Sequence, residues 1–198
     1  MATRHSHDTC DEPRRTYKRI NHLTTPTRLH SAWIIRPHQR RTIDKDYPRR
    51  VGGYAFEIGE SAVIGMMQRI QPDLQFTFKT VCQKDSQDMV DGDREFLWKA
   101  CLEAPQTKIL ITHGTDTMID TAAYLARKEP PPQKMIVLTG AFLPATFKLS
   151  DAEFNVGVSL GALQCLTETN VYVSMSGRVH RWDRVTRDSD SGKFIARA

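Results

Sequence analysis

The residues best suited to chemistry in this chain are His113-Gly114-Thr115-Asp116-Thr117, directly after the apolar run Ile109-Leu110-Ile111. Hydroxyl and carboxylate groups gathered behind a glycine can orient a polar ligand, carry a proton in transit, or simply close the first turn of a helix. The β-branched run before the glycine and Ala122, Ala123 and Leu125 after it predict strand, turn and helix, with Thr115 or Asp116 as the helix cap. In open α/β sheets ligands bind in the crevice beyond the carboxyl ends of the strands, which is where such a turn would lie.

The elements that must position this turn follow from apolar periodicity. Ala32-Trp33-Ile34-Ile35 reads as a short strand cut off by Pro37. A helix starts at Glu60 or Ser61, carries Val63, Ile64, Met66, Met67 and Ile70, and stops before Pro72. Leu74 to Cys82 alternates as a strand, and Gln83 to Val90 is a polar loop. Asp91 caps a helix to about Ala104 that buries Phe96, Leu97, Ala100 and Cys101. Met135 to Thr139 is a second buried-type strand ending in a glycine, Gly140. Asp151 caps a helix to about Cys165, Val171 to Met175 is the last clear strand, and the remainder reads as loop and terminus. This alternation predicts an α/β fold of three layers, a mostly parallel sheet with helices on both faces.

Length and composition set the outer limits. A chain of 198 residues suits one well-cored domain. With 39% hydrophobic and 26% charged residues, it matches a globular protein rather than a disordered one. Charge is uneven: residues 1–50 hold twelve basic and five acidic groups, and the remainder holds sixteen basic and eighteen acidic. Residues 1–30 are therefore expected to be a basic, disordered arm, and residues 31–198 the folded domain. Tyr17, Trp33 and Tyr47 are too scattered to form a stacking platform, which argues against nucleic acid as a partner. No apolar run approaches the roughly 20 residues of a membrane span. Cys10, Cys82, Cys101 and Cys165 form no CxxC pair, so neither a zinc site nor a disulfide framework is expected, and a reducing compartment is. The first residues lack the apolar core of a secretion signal, which adds to the expectation of a cytoplasmic protein.

Three ordered segments resemble the L-asparaginase family. His113-Gly114-Thr115-Asp116-Thr117-Met118 resembles its second signature. Val137-Leu138-Thr139-Gly140-Ala141-Phe142-Leu143-Pro144, with Ser150-Asp151 and Phe154-Asn155 behind it, is similar to its valine-rich strand, glycine turn and downstream loop. Asp85-Ser86-Gln87-Asp88-Met89 resembles its serine–glutamine substrate loop. Thr42-Ile43-Asp44-Lys45 resembles the nucleophilic threonine and its continuation, although Arg40-Arg41 stand where the family has paired glycines. Arginine lacks the access to positive φ and to close backbone approach that a glycine pair gives.

The resemblance implies the N-terminal-domain fold of that family, in the short single-domain form. It also implies hydrolysis of the side-chain amide of asparagine or a related amide to the acid and ammonia. That reaction needs a nucleophile, a route for its proton and donors for the oxyanion. The resemblance gives the attack to Thr42, the tuning of a threonine or a water to Thr115, Asp116 and Lys134, and substrate binding to Ser86 and Gln87. No metal or cofactor is implied, and a homo-oligomer is expected. A second class stays open, motivated by Arg40-Arg41: a catalytically impaired homologue that binds an amino acid or a protein partner without turnover.

Overall fold

The computed structural model describes residues 31–38, 43–46, 57–58, 61–83, 86–129 and 133–197. The basic arm at 1–30, together with Arg40, Arg41 and Thr42, lies outside these described residues. The elements run in chain order as β1 (Ser31–His38), β2 (Lys45–Asp46), β3 (Glu57–Ile58), α1 (Ala62–Ile70), β4 (Gln75–Gln83), α2 (Asp91–Glu103) and β5 (Lys108–Thr112). Then follow α3 (Met118–Arg127), β6 (Met135–Thr139), α4 (Ala152–Cys165), β7 (Val171–Met175), β8 (Arg178–Arg181), β9 (Val185–Arg187) and β10 (Phe194–Ala196). Among the described residues no helix is long and apolar enough to cross a membrane.

Six strands form one sheet in the order β4-β1-β5-β6-β7-β8. Every neighbouring pair is parallel except β7 with β8. Buried on both faces, β6 reads as an unbroken apolar run, as a central parallel strand must. Alternate residues feed two cores. Ile109, Ile111, Ile136 and Leu138 pack with Leu97 of α2 and Met118 and Leu125 of α3. Leu110, Val137 and Tyr172 pack on the other face with Val63 and Met66 of α1 and Val156 and Leu160 of α4. The three-layer α/β arrangement expected from the alternation is the one observed.

Several elements differ from expectation for identifiable reasons. β1 runs through Pro37 to His38 and lies inside the sheet, between β4 and β5. Its register shifts between Arg36 and His38, which is where a proline without a ladder N–H is tolerated. In α2 the inward face is set by Leu97, Ala100 and Cys101, with Trp98 buried beside them. Phe96, expected in the core, falls on the outer face and is 62% exposed. The helix begins after Val90 rather than from an Asp91 cap, and the Asp93 carboxylate accepts the Val90 N–H at 3.1 Å. The segment after β7, expected as loop, instead forms β8 and the antiparallel pair β9–β10.

The two central strands end level with each other, Thr112 of β5 opposite Thr139 of β6. The His113 N–H donates to the Thr139 carbonyl at 2.6 Å, which binds the two outgoing turns together. Gly140 sits against this junction. A Cβ there would overlap the His113 carbonyl oxygen and come to 3.0 Å from Cε of Met118. Gly140→Ala should therefore cost about 1–3 kcal/mol, a drop of roughly 5 °C in Tm by thermal melting. An unchanged Tm would show that the turns have room to separate.

Candidate active site

Thr115 and Asp116 lie in the turn between β5 and α3, at the carboxyl end of the sheet. Neither caps the helix. The cap position is Thr117, and no side-chain cap bond is made there. The expectation that Thr115 or Asp116 closes α3 is thus corrected, and both side chains are left for other work. Thr115 is 8% exposed, whereas the Asp116 side chain is 45% exposed. His113 is fully buried, and its Nδ1–H donates to the Gly114 carbonyl at 2.8 Å, so it shapes the turn.

Two donors converge on Asp116 from distant parts of the chain. Gln87, in the 3-10 turn Ser86–Asp88, donates Nε2–H to Oδ2 at 2.9 Å. Arg187, the last residue of β9, donates Nη1–H to Oδ1 at 3.0 Å and to the Thr115 carbonyl at 3.3 Å. The Gln87 hydrogen bond and then the Arg187 guanidinium hold the Asp116 carboxyl below the usual carboxylate range, with Lys45 adding to the effect. The turn therefore presents an anion fixed by a neutral donor and a cation. Arg187 was not among the residues singled out from the sequence. Short strands at Val185–Arg187 and Phe194–Ala196 flank an Asp/Ser/Gly turn, which is a hairpin signal, but nothing in it points to Asp116.

Lys134 does not join this cluster. It precedes the first residue of β6, so the strand's five residues separate it from Gly140, about 20 Å along the sheet. Its Nζ donates to the Leu102 carbonyl at 3.3 Å and to the Ala104 carbonyl, at the carboxyl end of α2. A cation there satisfies orphan helix carbonyls and meets the negative end of the helix dipole. Burial lowers its pKa. Cys101 nearby is pushed up to about 12 by burial, which leaves it a neutral thiol. The expected role of Lys134 beside Thr115 and Asp116 is corrected to a structural one.

The neighbouring turn is built on α4. Asp151 stands at the cap of α4, as expected, yet its carboxylate turns back to accept the Phe142 N–H at 3.0 Å and the Leu143 N–H at 3.1 Å. Asn155, fully buried, donates Nδ2–H to the Gly140 carbonyl at 3.0 Å and accepts the Ser176 N–H at 3.0 Å. Thr139 Oγ1 donates to the Ser174 carbonyl at 2.8 Å. The segment following Thr42 comes to this same end. The Ile43 carbonyl accepts the Ala145 N–H at 3.1 Å, and the Lys45 carbonyl accepts from Thr146 Oγ1 at 3.3 Å. Thr42 itself and the Ser86 side chain lie outside what is described.

The profile of the family described as Asparaginase, N-terminal matches residues 42–193. Among solved structures, the chain is similar to the thermostable L-asparaginase from Thermococcus kodakarensis, at 23% identity and a TM-score of 0.68, covering 84% of this chain and 51% of that one. It is likewise similar to a probable cytoplasmic L-asparaginase from Campylobacter jejuni, at 21% identity and a TM-score of 0.68, covering 84% and 52%. L-asparaginase I from Vibrio cholerae matches at 20% identity and a TM-score of 0.66, covering 84% and 51%. The chain thus spans about half the length of these structures, and at such identities they establish the fold. No curated protein matches the chain.

Asn155 is the buried polar centre that fixes the Gly140 turn. Asn155→Leu should cost about 2–4 kcal/mol, since it leaves a carbonyl and an N–H without partners, and chemical denaturation measures it. A loss below half a kilocalorie would mean that water replaces the side chain.

Proposed function

Because the chain belongs to the asparaginase N-terminal family, by the match over residues 42–193, we propose that it hydrolyses the side-chain amide of asparagine, or a related amide, to the acid and ammonia at the turn after β5. The observation that carries this reading is the convergence of Gln87 and Arg187 on Asp116, beside the buried Thr115, at the carboxyl end of a parallel sheet. Helix capping does not occupy these groups, so the turn has polar capacity to offer a ligand.

Each carboxylate oxygen of Asp116 accepts one hydrogen bond and keeps a further lone pair. An exposed anion of this kind suits the ammonium of an amino acid. The N-terminal end of α3, with the positive end of its dipole, suits its carboxylate. Attack on the amide carbon is assigned to Thr42, whose chain continues into Ile43–Lys45 at this end of the sheet. In the step, the threonine oxygen bonds to the amide carbon, the C–N bond breaks, and the nitrogen leaves as ammonia with the proton that the hydroxyl gave up. Water then cleaves the ester. Ser86 and Gln87 complete the substrate pocket, Gln87 by fixing Asp116. Assembly of the chain into a homo-oligomer belongs to the same proposal.

A second reading, binding without turnover, draws on one observation. The cation at this turn is a guanidinium, which offers donors and no acceptor, while the amine of Lys134 is engaged at the other end of the sheet.

Ammonia release from asparagine and glutamine by the full chain separates the two. Thr42→Ala, Thr115→Ala and Asp116→Ala should each lower kcat/KM by about 100-fold or more, as loss of a group acting in the transition state does. Lys134→Met should leave kcat/KM within about twofold while lowering Tm by a few degrees. Asparagine binding without ammonia release would establish the second reading, and activity surviving both threonine substitutions would reject the assigned site.

A further inference from the structure

We propose that Arg94 is a positioning residue for this site: from the first turn of α2 it ties that helix to the first turn of α3, and so holds the Ser86–Asp88 turn where Gln87 meets Asp116. Each of these two helices begins just behind a turn of the site. The structure joins them twice, at Gln87 with Asp116 and one helical turn further in at Arg94 with Thr121.

The inner joint is buried, whereas the Asp116 side chain of the outer one is partly open to solvent. Arg94 is the fourth residue of α2 and Thr121 the fourth of α3. Nε–H of Arg94 donates to Thr121 Oγ1 at 3.2 Å. Thr121 is fully buried and Arg94 is 8% exposed. The Thr121 hydroxyl in turn donates toward Met89 Sδ, 4.0 Å away. Met89 is itself buried and directly follows the Ser86–Asp88 turn. One hydroxyl thus receives from α2 and donates to the link that leads into it. The next residue of that link, Val90, is held too: its N–H reaches the Asp93 carboxylate at 3.1 Å, and its carbonyl accepts the Arg94 N–H at 3.3 Å. Gln87 stands two residues before Met89, so little chain remains in which its position could drift.

Stability alone does not explain this arginine. A cation in the first turn of a helix opposes the positive end of the dipole, and a guanidinium taken out of water needs good partners to offset the loss. Its ion partner, Asp91 Oδ1 at 3.0 Å from Nη1, belongs to a side chain that is 80% exposed, and such a pair contributes little. An apolar side chain would fill the same space without these costs. What it would lack is direction. Leu97 of α2 packs in one core with Met118 and Leu125 of α3, but apolar burial is non-directional. The planar guanidinium reaches the α3 hydroxyl with Nε–H while Nη1 turns back to Asp91, which sets the offset of one helix against the other. The effect is readable at Asp116. The Gln87 hydrogen bond comes first among the causes that hold its carboxyl below the usual range, ahead of Arg187 from β9 and Lys45 from β2. Loosening Gln87 therefore moves a titration that a mere loss of stability leaves in place.

The placing of Gln87 is independent of any reaction, whereas its consequence for an amide ligand rests on the proposed function, and the test separates the two. The carboxyl carbon of Asp116 is titrated by 13C NMR in the full chain without ligand, assigned with Asp116→Asn, and asparagine binding is measured by calorimetry. Arg94→Met should raise the Asp116 midpoint toward that of Gln87→Met. In the Gln87→Met background it should raise it no further, because both changes act on one bond. Asparagine affinity should fall by about tenfold, the worth of a hydrogen bond to a charged group. A folded Arg94→Met whose Asp116 midpoint equals that of the parent, whatever its Tm, overturns the proposal. A further rise on top of Gln87→Met overturns it too, since Arg94 would then act by another route. A raised midpoint with no asparagine binding by any of the proteins supports the role of Arg94 and rejects the amide site instead. Should Arg94→Met fail to fold, Thr121→Val removes the same bond at nearly the same shape and should raise the midpoint in the same direction. No rise there also overturns the proposal.

Discussion

The site depends on two strand ends meeting at Gly140, where no side chain fits between the turn after β6 and the carbonyl of His113. Because β5 and β6 run parallel and in register to Thr112 and Thr139, their outgoing turns emerge side by side. The His113 N–H fixes one turn to the other, and Asn155 fixes the Gly140 carbonyl from α4. Thr139 is tied to the next strand through the Ser174 carbonyl. These bonds are buried in low dielectric, where they are strong when made and costly when broken. The result is a rigid floor on which Thr115 and Asp116 stand.

Above that floor the organising force is charge. Asp116 is partly open to solvent, yet both its oxygens accept hydrogen bonds and its ionised form is favoured. The partner cation, Arg187, is itself held by a backbone carbonyl and flanked by two rings. A pair of this kind at a bare surface contributes little to stability. Its value here is geometric, since it sets where a permanent anion faces the crevice. The same arrangement limits the chemistry: the lowered pKa makes Asp116 a weaker base, and a guanidinium offers donors and no acceptor. In the proposed reaction the base for the nucleophile would therefore be another group.

Much of the fold was legible because its signals are local. The buried runs of β5 and β6, the glycines that end them and the apolar face of α1 follow directly from periodicity. The full length of β1 is hidden in the sequence, because Pro37 interrupts a strand that continues through a register shift. Phe96 is apolar by type but lies on the outer face of α2, so hydrophobicity alone misplaces it. Of the candidate site, Thr115, Asp116 and Gln87 stand out in the sequence by their motifs, and the structure places Gln87 on Asp116 beside Thr115. Lys134 was misplaced, and strand direction explains why. A residue before a parallel strand lies at the amino end, opposite the crevice, so the tertiary role follows from direction rather than from nearness in sequence to Gly140. Arg187 was invisible because its hairpin strands are three residues each and its partner lies 71 residues away.

The central claim is that the turn after β5 is where a small polar ligand binds. Titration of the 15N-labelled chain with asparagine, followed by backbone amide shifts, addresses it without requiring turnover. The account predicts shifts concentrated on His113 to Asp116, with Gln87, Gly140 and Arg187 moving in step at one saturating midpoint. Saturable shifts centred instead on Lys134 and the carboxyl end of α2, with Thr115 and Asp116 unmoved, would contradict it.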